Sequence, residues 1–467
     1  MKELFYKYSN QKDLIAIRTP SQKIYYYELF ELSYKVSSNI KSLNLSSKYI
    51  PILASNSIEF VVTIISLWNL GLVPVPFNIR WTINEIKSII ERFQFEKIFY
   101  EKSFYEKITD LVIEKIPIDD LFDNKKLEKN NSKEEEAVVI FTSGSTGSPK
   151  GVVHTFNSLS NNVLNSSNAL NLNKSDRWLA LLPFYHIGGF QIICRTLISG
   201  SEIIIPDSLD YNSMKIAIEK LKPTHLSVVS TQIKYLIDNK IIPNKEIKRT
   251  FIGGGFFDDE LIFKAYNIGW KPVRVYGSSE TASMITSASI DDIKVKPNTV
   301  GKPFKNVNII VSDKGEILIS SNSLFKEYLL DEKTTKIKLK DGFYHSGDIG
   351  KIEDGYLFIE ARRDDLIITG GENVNPQEVE QALLKIKGIK EAYVFGIDDE
   401  KWGHKVCAAI ISDSNLSIDY INNILSKEIS SFKIPKEIFF LKEIPKTSLG
   451  KIDREKLKMI ITNKILR

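Results

Sequence analysis

Between Thr142 and Gly151 the chain reads Thr-Ser-Gly-Ser-Thr-Gly-Ser-Pro-Lys-Gly, with three glycines, five hydroxyls and one lysine in ten residues. The apolar run Ala137–Phe141 comes just before it and reads as a buried strand. A Gly/Ser/Thr loop leaving a strand can aim backbone N–H groups and hydroxyls at one anion, because glycine lacks the Cβ that would block a phosphate. Lys150 adds a charge able to reach across a polyphosphate. The spacing is not that of the Walker loop, since the second glycine counted from Gly144 would fall at Pro149. A flexible Gly/Ser linker would lack the flanking strand and the closing Pro-Lys-Gly. Thr142, Ser143, Gly144, Ser145, Thr146, Gly147 and Lys150 are therefore candidates for holding phosphate.

Other segments place charged or aromatic groups beside small turn residues. Tyr276-Gly-Ser-Ser-Glu-Thr281 follows Pro272-Val-Arg-Val275. Taken alone it is a common turn, and the phosphate loop upstream favours a functional reading. Gly253-Gly-Gly255 follows an apolar pair and is by itself equally a plain turn. Asp348 ends Tyr344-His-Ser-Gly-Asp, where a carboxylate can accept two hydroxyls or merely cap a turn. His186, one of 5 histidines, lies in Pro183-Phe-Tyr-His-Ile-Gly-Gly189. A lone histidine among apolar neighbours is often a packed core residue.

Elements must carry these groups. Short β-branched runs alternate with helical patterns from about residue 50 to 290: Tyr49–Leu53, Lys97–Tyr100, Ala137–Phe141, Glu202–Pro206, Leu226–Val229 and Pro272–Tyr276. That alternation predicts an α/β fold with mostly parallel sheets. From about 300 to 360 short strands with Asp-Gly-type turns predict a small β-rich subdomain. After Asp364 a further unit of about 100 residues begins, with helices at Gln377–Ile386 and Ile418–Ile429 and strands at Glu391–Phe395 and Val406–Ile411. Domains are accordingly expected over 1–363 and 364–467, and 467 residues exceed one ordinary core.

Composition narrows the class. A hydrophobic fraction of 43% and a charged fraction of 26% are those of a soluble globular chain. The 63 basic and 58 acidic residues nearly balance and form no dense basic block, so no nucleic-acid partner is expected. Cys194 and Cys407 are isolated, which suggests neither a disulfide framework nor a zinc site and fits a reducing cytoplasm. Met1 to Ile17 has no apolar core of a secretory leader. Ile58–Phe77 is interrupted by Glu59, Asn69, Gly71 and two prolines, so it reads as a helix to Leu70 and a short strand, not a membrane span. A homo-oligomer stays open.

The motifs in order resemble the adenylate-forming superfamily of acyl-CoA synthetases, peptide-synthetase adenylation domains and firefly-type luciferases. The matching segments are Thr142–Gly151, Pro183–Gly189, Tyr276–Thr281, Tyr344–Asp348, Ala361–Glu372 and Pro445-Lys-Thr-Ser-Leu-Gly-Lys451, spread over more than 300 residues. The resemblance implies a large N-terminal domain, a small mobile α+β lid hinged near Asp364, and an ATP- and Mg²⁺-dependent ligase that passes an acyl group to coenzyme A. It implies that Ser143, Ser145, Thr146 and Lys150 hold the β- and γ-phosphates. Tyr276 would stack on adenine, with Gly253, Gly254 and Gly277 lining its edge and turn. Ser279 would face the α-phosphate. Glu280, with Thr146, would hold Mg²⁺, a hard cation that takes oxygen ligands. Asp348 would take the ribose diol, beside Arg362, although Ala361 stands where the family usually has glycine. Lys451 would be the catalytic lysine, ahead of Lys446. Gly370, Gly371 and Glu372 would line the pantetheine path, and His186 would gate or position the carboxylate.

Within that superfamily, Val153–Asn157, Trp178–His186, Ser230–Ile233 and Thr281–Ser283 resemble the o-succinylbenzoate–CoA ligases of menaquinone and phylloquinone synthesis. Two departures bear on the acid pocket: His-Ile-Gly-Gly replaces the usual His-Ile/Val-Ser-Gly, and Ser230 replaces a common proline. The substrate so implied is a small carboxylic acid with a second, aromatic carboxylate that must be paired. His186, Gly188, Gly189, Arg195, Thr231 and Gln232 are the pocket candidates, with Arg195 and Lys234 as the nearby cations. Another acyl- or aryl-CoA synthetase, or a catalytically silent nucleotide-binding relative, would carry much of the same pattern. Intact Lys451, Glu280 and Asp348 argue against silence.

Overall fold

The computed structural model describes residues 1–122, 134–142, 149–255, 259–362, 367–369, 372–399, 403–429, 431–447 and 452–465. The chain divides into two compact units, Met1–Asn308 with Ile319–Tyr344, and Ile309–Leu318 with His345–Arg467.

The first unit is layered α/β. Its largest sheet has nine strands, in spatial order Lys302–Pro303, Ser283–Ala288, Pro272–Ser278, Arg249–Gly253, His225–Val229, Arg177–Leu179, Glu202–Ile204, Ile15–Arg18 and Lys23–Tyr25. The six strands from Pro272–Ser278 to Ile15–Arg18 run parallel, and the edges are antiparallel. Three neighbouring parallel strands end at Val229, Gly253 and Ser278. Their C-terminal ends deliver Ser230–Gln232, Gly253–Gly255 and the Ser279 turn to one edge of the sheet, the usual ligand edge of an open α/β sheet.

A second, all-parallel sheet orders Val73–Pro76, Tyr49–Leu53, Lys97–Tyr100 and Glu114–Pro117. The run read as a non-membrane segment forms the helix Ile58–Leu70, with Ser57 Oγ accepting the Phe60 N–H at 3.0 Å and Gly71 closing it at φ +74°. Eleven of its 13 residues are buried, so it is a core helix rather than a surface one. Trp68 on this helix stacks edge-on against Phe5 and Phe156 and donates its indole N–H to Ala137 O at 2.7 Å. The core helix is thereby pinned to the strand that leads into the phosphate loop. Truncating Trp68 would cost about 3–5 kcal/mol.

One expectation needs correction. The strand before the phosphate loop, Glu136–Thr142, does not belong to a parallel layer. It pairs antiparallel with Lys150–Thr155, which pairs with Glu327–Tyr328 in a separate three-stranded sheet. Seven residues between paired strands leave no room for the helical crossover that parallel pairing needs.

In the β-rich stretch, Glu316–Ser321 lies between Val307–Val311 and Phe343–Glu353, and Tyr356–Arg362 pairs with the last of these. The rest of the second unit builds a sheet ordered Glu372–Val374, Ile367–Thr369, Gly403–Ser412, Ile389–Asp399, with Glu437–Phe440 parallel to Gly403–Ser412. Helices Pro376–Leu384 and Ile418–Glu428 bring Val379, Leu383, Ile421 and Leu425 into one core with Val394, Val406 and Ile410. No helix among the described residues is long and apolar enough to cross a membrane.

Candidate active site

The turn after Pro272–Ser278 is the best-defined part of the site. Strand Ser283–Ala288 returns antiparallel, with Ser278 opposite Ser283 and Gly277 opposite Met284. A Cβ on Gly277 would lie 2.0 Å from Ser283 O, so only glycine fits this close approach. The turn is strained: Ala282 sits at φ +57° and Ser283 at φ +107°. Such backbone costs on the order of 1–3 kcal/mol per residue and persists only where the surroundings enforce it.

The surroundings are polar side chains from beneath. Buried His154 meets Ser279 O through Nε2 at 2.7 Å, Asn162 Nδ2 donates to Thr281 O at 3.1 Å, and Gln191 Nε2 donates to Ala282 O at 2.8 Å. The Phe325 N–H donates to Glu280 O at 2.8 Å. A carbonyl only accepts, so His154 carries its proton on Nε2, while Nδ1 faces Ser158 Oγ at 3.0 Å. Burial pulls this imidazole down to about 4, against the smaller upward pull of the Ser279 carbonyl and Glu280. It is neutral at physiological pH.

The Glu280 carboxylate accepts from Tyr328 Oη at 2.8 Å, and Lys150 Nζ lies 5.5 Å from the centre of the same tyrosine ring. Strand Glu327–Tyr328 is anchored by its neighbour Lys326, which pairs with Glu136. Glu136 also accepts from Tyr49 Oη and Lys48 Nζ, both at 2.9 Å. Burial alone would raise the Glu136 carboxyl, yet the bonds from Lys326, Lys48 and Tyr49 bring it below its ordinary value. This buried hub ties the start of strand Glu136–Thr142 to Lys326 and to Tyr49 of the neighbouring sheet.

Among the described residues no group of three or more His, Cys, Asp or Glu side chains could hold a metal. One carboxylate, Glu280, with a hydroxyl donor on its other oxygen, fits a magnesium ion that takes most of its oxygen ligands from phosphate and water. The nucleotide edge fits as well. Gly254 adopts φ +87°, and a Cβ on Gly253 would come within 2.8 Å of Val275 Cγ2. The strand end therefore presents bare backbone beside the half-buried Tyr276, a surface suited to a planar base.

Of the acid-pocket candidates, His186 stands at the N-cap position of the helix Ile187–Ser199 without a side-chain cap bond, and its ring lies 4.6 Å from that of Tyr185. Gly189 is a packing glycine, since a Cβ would stand 2.1 Å from Pro183 O. Arg195, two turns along that helix, is 2% exposed. Its guanidinium lies 5.1 Å over the Trp178 ring, its Nη2 donates to Ser283 Oγ at 3.2 Å, and its Nε has no partner among the described residues. Burial pulls its pKa down to about 10, which still leaves it charged at neutral pH. Gln232 is engaged at both ends, accepting from Val229 N at 3.0 Å and donating to Leu181 O at 3.1 Å. Thr231 is half-buried and Lys234 exposed. Gly188 would bring a Cβ within 3.0 Å of Leu182 Cδ1.

In the second unit, Gly347 at φ +78° turns the chain into Asp348. The turn is fixed by Ser346 Oγ donating to Ile317 O at 2.7 Å and Gly347 N donating to Glu316 at 3.1 Å. Asp348 stands opposite Arg362 in the strand register. Of Arg362 and Glu372 only the backbone is described, and Ser143–Gly147, Asp364, Gly370, Gly371 and Lys451 lie outside the described residues. His154, Asn162, Gln191 and Tyr328 were not singled out from the sequence. Their chemistry is common and their partners lie 48 to 125 residues away, so spacing gave no signal for them.

Residues 5–329 match the model of the AMP-binding enzyme family, more than two thirds of the chain. The chain belongs to the AMP-binding enzyme family. Residues 378–451 match the C-terminal domain of AMP-binding enzymes. This family member is 28% identical to a 2-succinylbenzoate–CoA ligase of Bacillus cytotoxicus, over 97% of each chain. It is 30% identical to one of Listeria innocua, covering 92% of this chain and 93% of that one. Its fold is similar to the o-succinylbenzoate CoA synthetase of Bacillus subtilis in complex with the acyl-adenylate intermediate, at TM-score 0.90, 26% identity and 97% of each chain. The same enzyme with ATP and magnesium ion matches at TM-score 0.89, covering 97% of this chain and 98% of that one.

Proposed function

We propose that this AMP-binding family member is an AMP-forming acid–CoA ligase of the cytoplasm, and that its acid is 2-succinylbenzoate, an intermediate of menaquinone or phylloquinone synthesis. The observation that carries the acid is Arg195: a buried guanidinium with an open Nε, stacked on Trp178 and bonded to the residue that closes the Glu280 turn. A buried cation of this kind is matched by a desolvated carboxylate. 2-Succinylbenzoate brings two carboxylates, an aromatic one to pair and a succinyl one to activate.

In the first half-reaction the succinyl carboxylate attacks the α-phosphorus of ATP. An O–P bond forms, the bond to the β-phosphate breaks, and pyrophosphate leaves. The loop 142–147 and Lys150 would hold the β- and γ-phosphates, with Tyr276, Gly253, Gly254 and Gly277 around adenine and Asp348 with Arg362 at the ribose. Magnesium held by Glu280 and Thr146 would neutralise phosphate charge. Ser279 would meet the α-phosphate and Lys451 the reacting carboxylate, with His186 positioning the acid. In the second half-reaction the thiolate sulfur of coenzyme A attacks the acyl carbon, a C–S bond forms, the C–O bond breaks, and AMP leaves. The unit from Asp364 onward would act as the lid, with Gly370, Gly371 and Glu372 along the pantetheine path. No nucleic-acid partner enters this reading.

The test is an acid panel in a coupled assay of pyrophosphate and AMP release with coenzyme A. 2-Succinylbenzoate should turn over faster than benzoate or medium-chain fatty acids. Faster turnover of a fatty acid would assign the chain to another acyl-CoA synthetase with the same machinery.

A further inference from the structure

Four successive carbonyls of the Ser279–Ala282 turn point to four separate donors. Ser279 O takes His154 Nε2, Glu280 O takes the Phe325 N–H, Thr281 O takes Asn162 Nδ2, and Ala282 O takes Gln191 Nε2. The three side chains are each at most 1% exposed and come from one strand and two helices. Asn162 also donates to Met284 O at 2.9 Å, beyond the strained pair Ala282 and Ser283. A turn with two non-glycine residues at positive φ relaxes unless something holds it, and these donors hold it. Buried amides and an imidazole are expensive places to put polar groups for packing alone.

We propose that His154, Asn162 and Gln191 are positioning residues for adenylation: a carbonyl clamp that fixes the strained turn, so that the Ser279 hydroxyl and the Glu280 carboxylate stand preorganised before nucleotide arrives. The proposal rests on the reading of Glu280 as the magnesium carboxylate. Preorganised groups need no rearrangement at the moment of reaction, and outer partners of metal ligands commonly carry 10- to 100-fold in affinity or rate. The clamp acts on backbone that serves the first half-reaction. Its loss should therefore fall on adenylate formation and spare the reaction of ready-made acyl-adenylate with coenzyme A.

The experiment uses the full chain and measures both half-reactions separately. Gln191→Met and His154→Leu each remove one donor at similar volume, and His154→Gln keeps a donor in reach of Ser279 O. Gln191→Met and His154→Leu should lower the adenylation kcat about 10- to 100-fold. The apparent KM for ATP and the thioester half-reaction should stay within about threefold, and His154→Gln should recover most of the adenylation rate. In a Glu280→Gln background the clamp variants should add little further loss, because they act through that residue. Equal loss in both half-reactions, or a loss that matches the fraction of unfolded protein, would make these residues merely structural and overturn the proposal. Glu280→Gln alone tests the underlying reading: if its magnesium requirement is unchanged, the metal assignment fails. If that requirement shifts but the clamp variants adenylate normally, the clamp alone fails.

Discussion

Replacing Arg195 by methionine separates the acid-binding role from a structural one. Burial brings the guanidinium down to about 10. At 1.36 kcal/mol per pH unit that is a desolvation cost of about 3 kcal/mol. Against it stand the stacking on Trp178, worth ~1–2 kcal/mol, and the charged hydrogen bond to Ser283, worth ~1.5–3 kcal/mol. The opposing contributions are of similar size. Methionine fills the volume, removes the charge and keeps a sulfur contact with the indole. The ligand-free Arg195→Met protein should therefore lie within about 1 kcal/mol of the parent, a midpoint shift of no more than ~1–2 °C for a unit of this size. With substrate the balance changes, because an aromatic carboxylate would lose the buried cation proposed as its partner. That loss of ~1.5–3 kcal/mol is an increase in KM of about 10- to 150-fold for 2-succinylbenzoate. The analogue without the ring carboxylate, 4-oxo-4-phenylbutanoate, should show no such loss. Thermal unfolding without ligand and initial rates on both acids decide the matter. A stability loss of about 3 kcal/mol or more with an unchanged KM would refute the pairing and make Arg195 a structural residue.

Three further outcomes are expected. Tyr328→Phe keeps the ring near Lys150 and removes the donor to Glu280, so it should raise the magnesium concentration for half-maximal adenylation about 10-fold or more with little change in stability, as a magnesium titration at fixed ATP will show. Lys451→Ala should abolish adenylate formation yet leave much of the reaction of presynthesised adenylate with coenzyme A; parallel loss in both would refute an alternating lid. His225 is held neutral by burial, its pKa pulled to about 4, so the unfolded chain binds the proton first and stability should fall as pH drops from about 6.5 towards 4, by at most about 3 kcal/mol from this residue. Denaturant melts should show a shallower acid limb in His225→Gln.

The sequence made the parallel layers legible because parallel strands buried on both faces are written as short β-branched runs, such as Tyr49–Leu53 and Lys97–Tyr100, with helical spacing between them. The core helix Ile58–Leu70 was legible because Asn69, Gly71 and two prolines break the apolar run at and after its end; the Ser57 cap at its start was not read from the sequence. Pairing direction was less legible. Glu136–Thr142 looks like any other buried strand, and only its partner Lys150–Thr155 makes it antiparallel. The short strands Ile367–Thr369, Glu372–Val374 and Glu437–Phe440 had too few residues to show a period. Of the candidate site, the segments with unusual composition could be singled out, because clusters of glycine and hydroxyl residues directly after an apolar run stand out from the rest of the chain. The residues beneath were not: Asn162 and Gln191 read as ordinary polar positions on amphipathic helices until the fold brings each to a carbonyl.

That division has a physical origin that bears on how the site works. Groups that meet a ligand must sit where backbone can approach it, so they concentrate in loops at strand ends and carry a compositional mark. Groups that fix those loops need only one donor at the correct point in space, and any buried amide or imidazole can supply it. At the Glu280 turn the two kinds meet on the same residues: Ser279 and Glu280 carry the motif, and His154 and Phe325 hold the carbonyls of those two residues. Gly277 permits the close approach, Ser283 bears the strained φ, and Arg195 bonds the Ser283 hydroxyl. The proposed nucleotide side and the proposed acid side of the site thus share one short piece of backbone. A change at Arg195 that loosened Ser283 would reach Glu280 through two residues of held turn, Thr281 and Ala282. For that reason the Arg195→Met experiment should include the magnesium titration. An unchanged magnesium requirement beside a raised acid KM would show that the clamp isolates the two sides, whereas a coupled shift would show that the turn transmits between them.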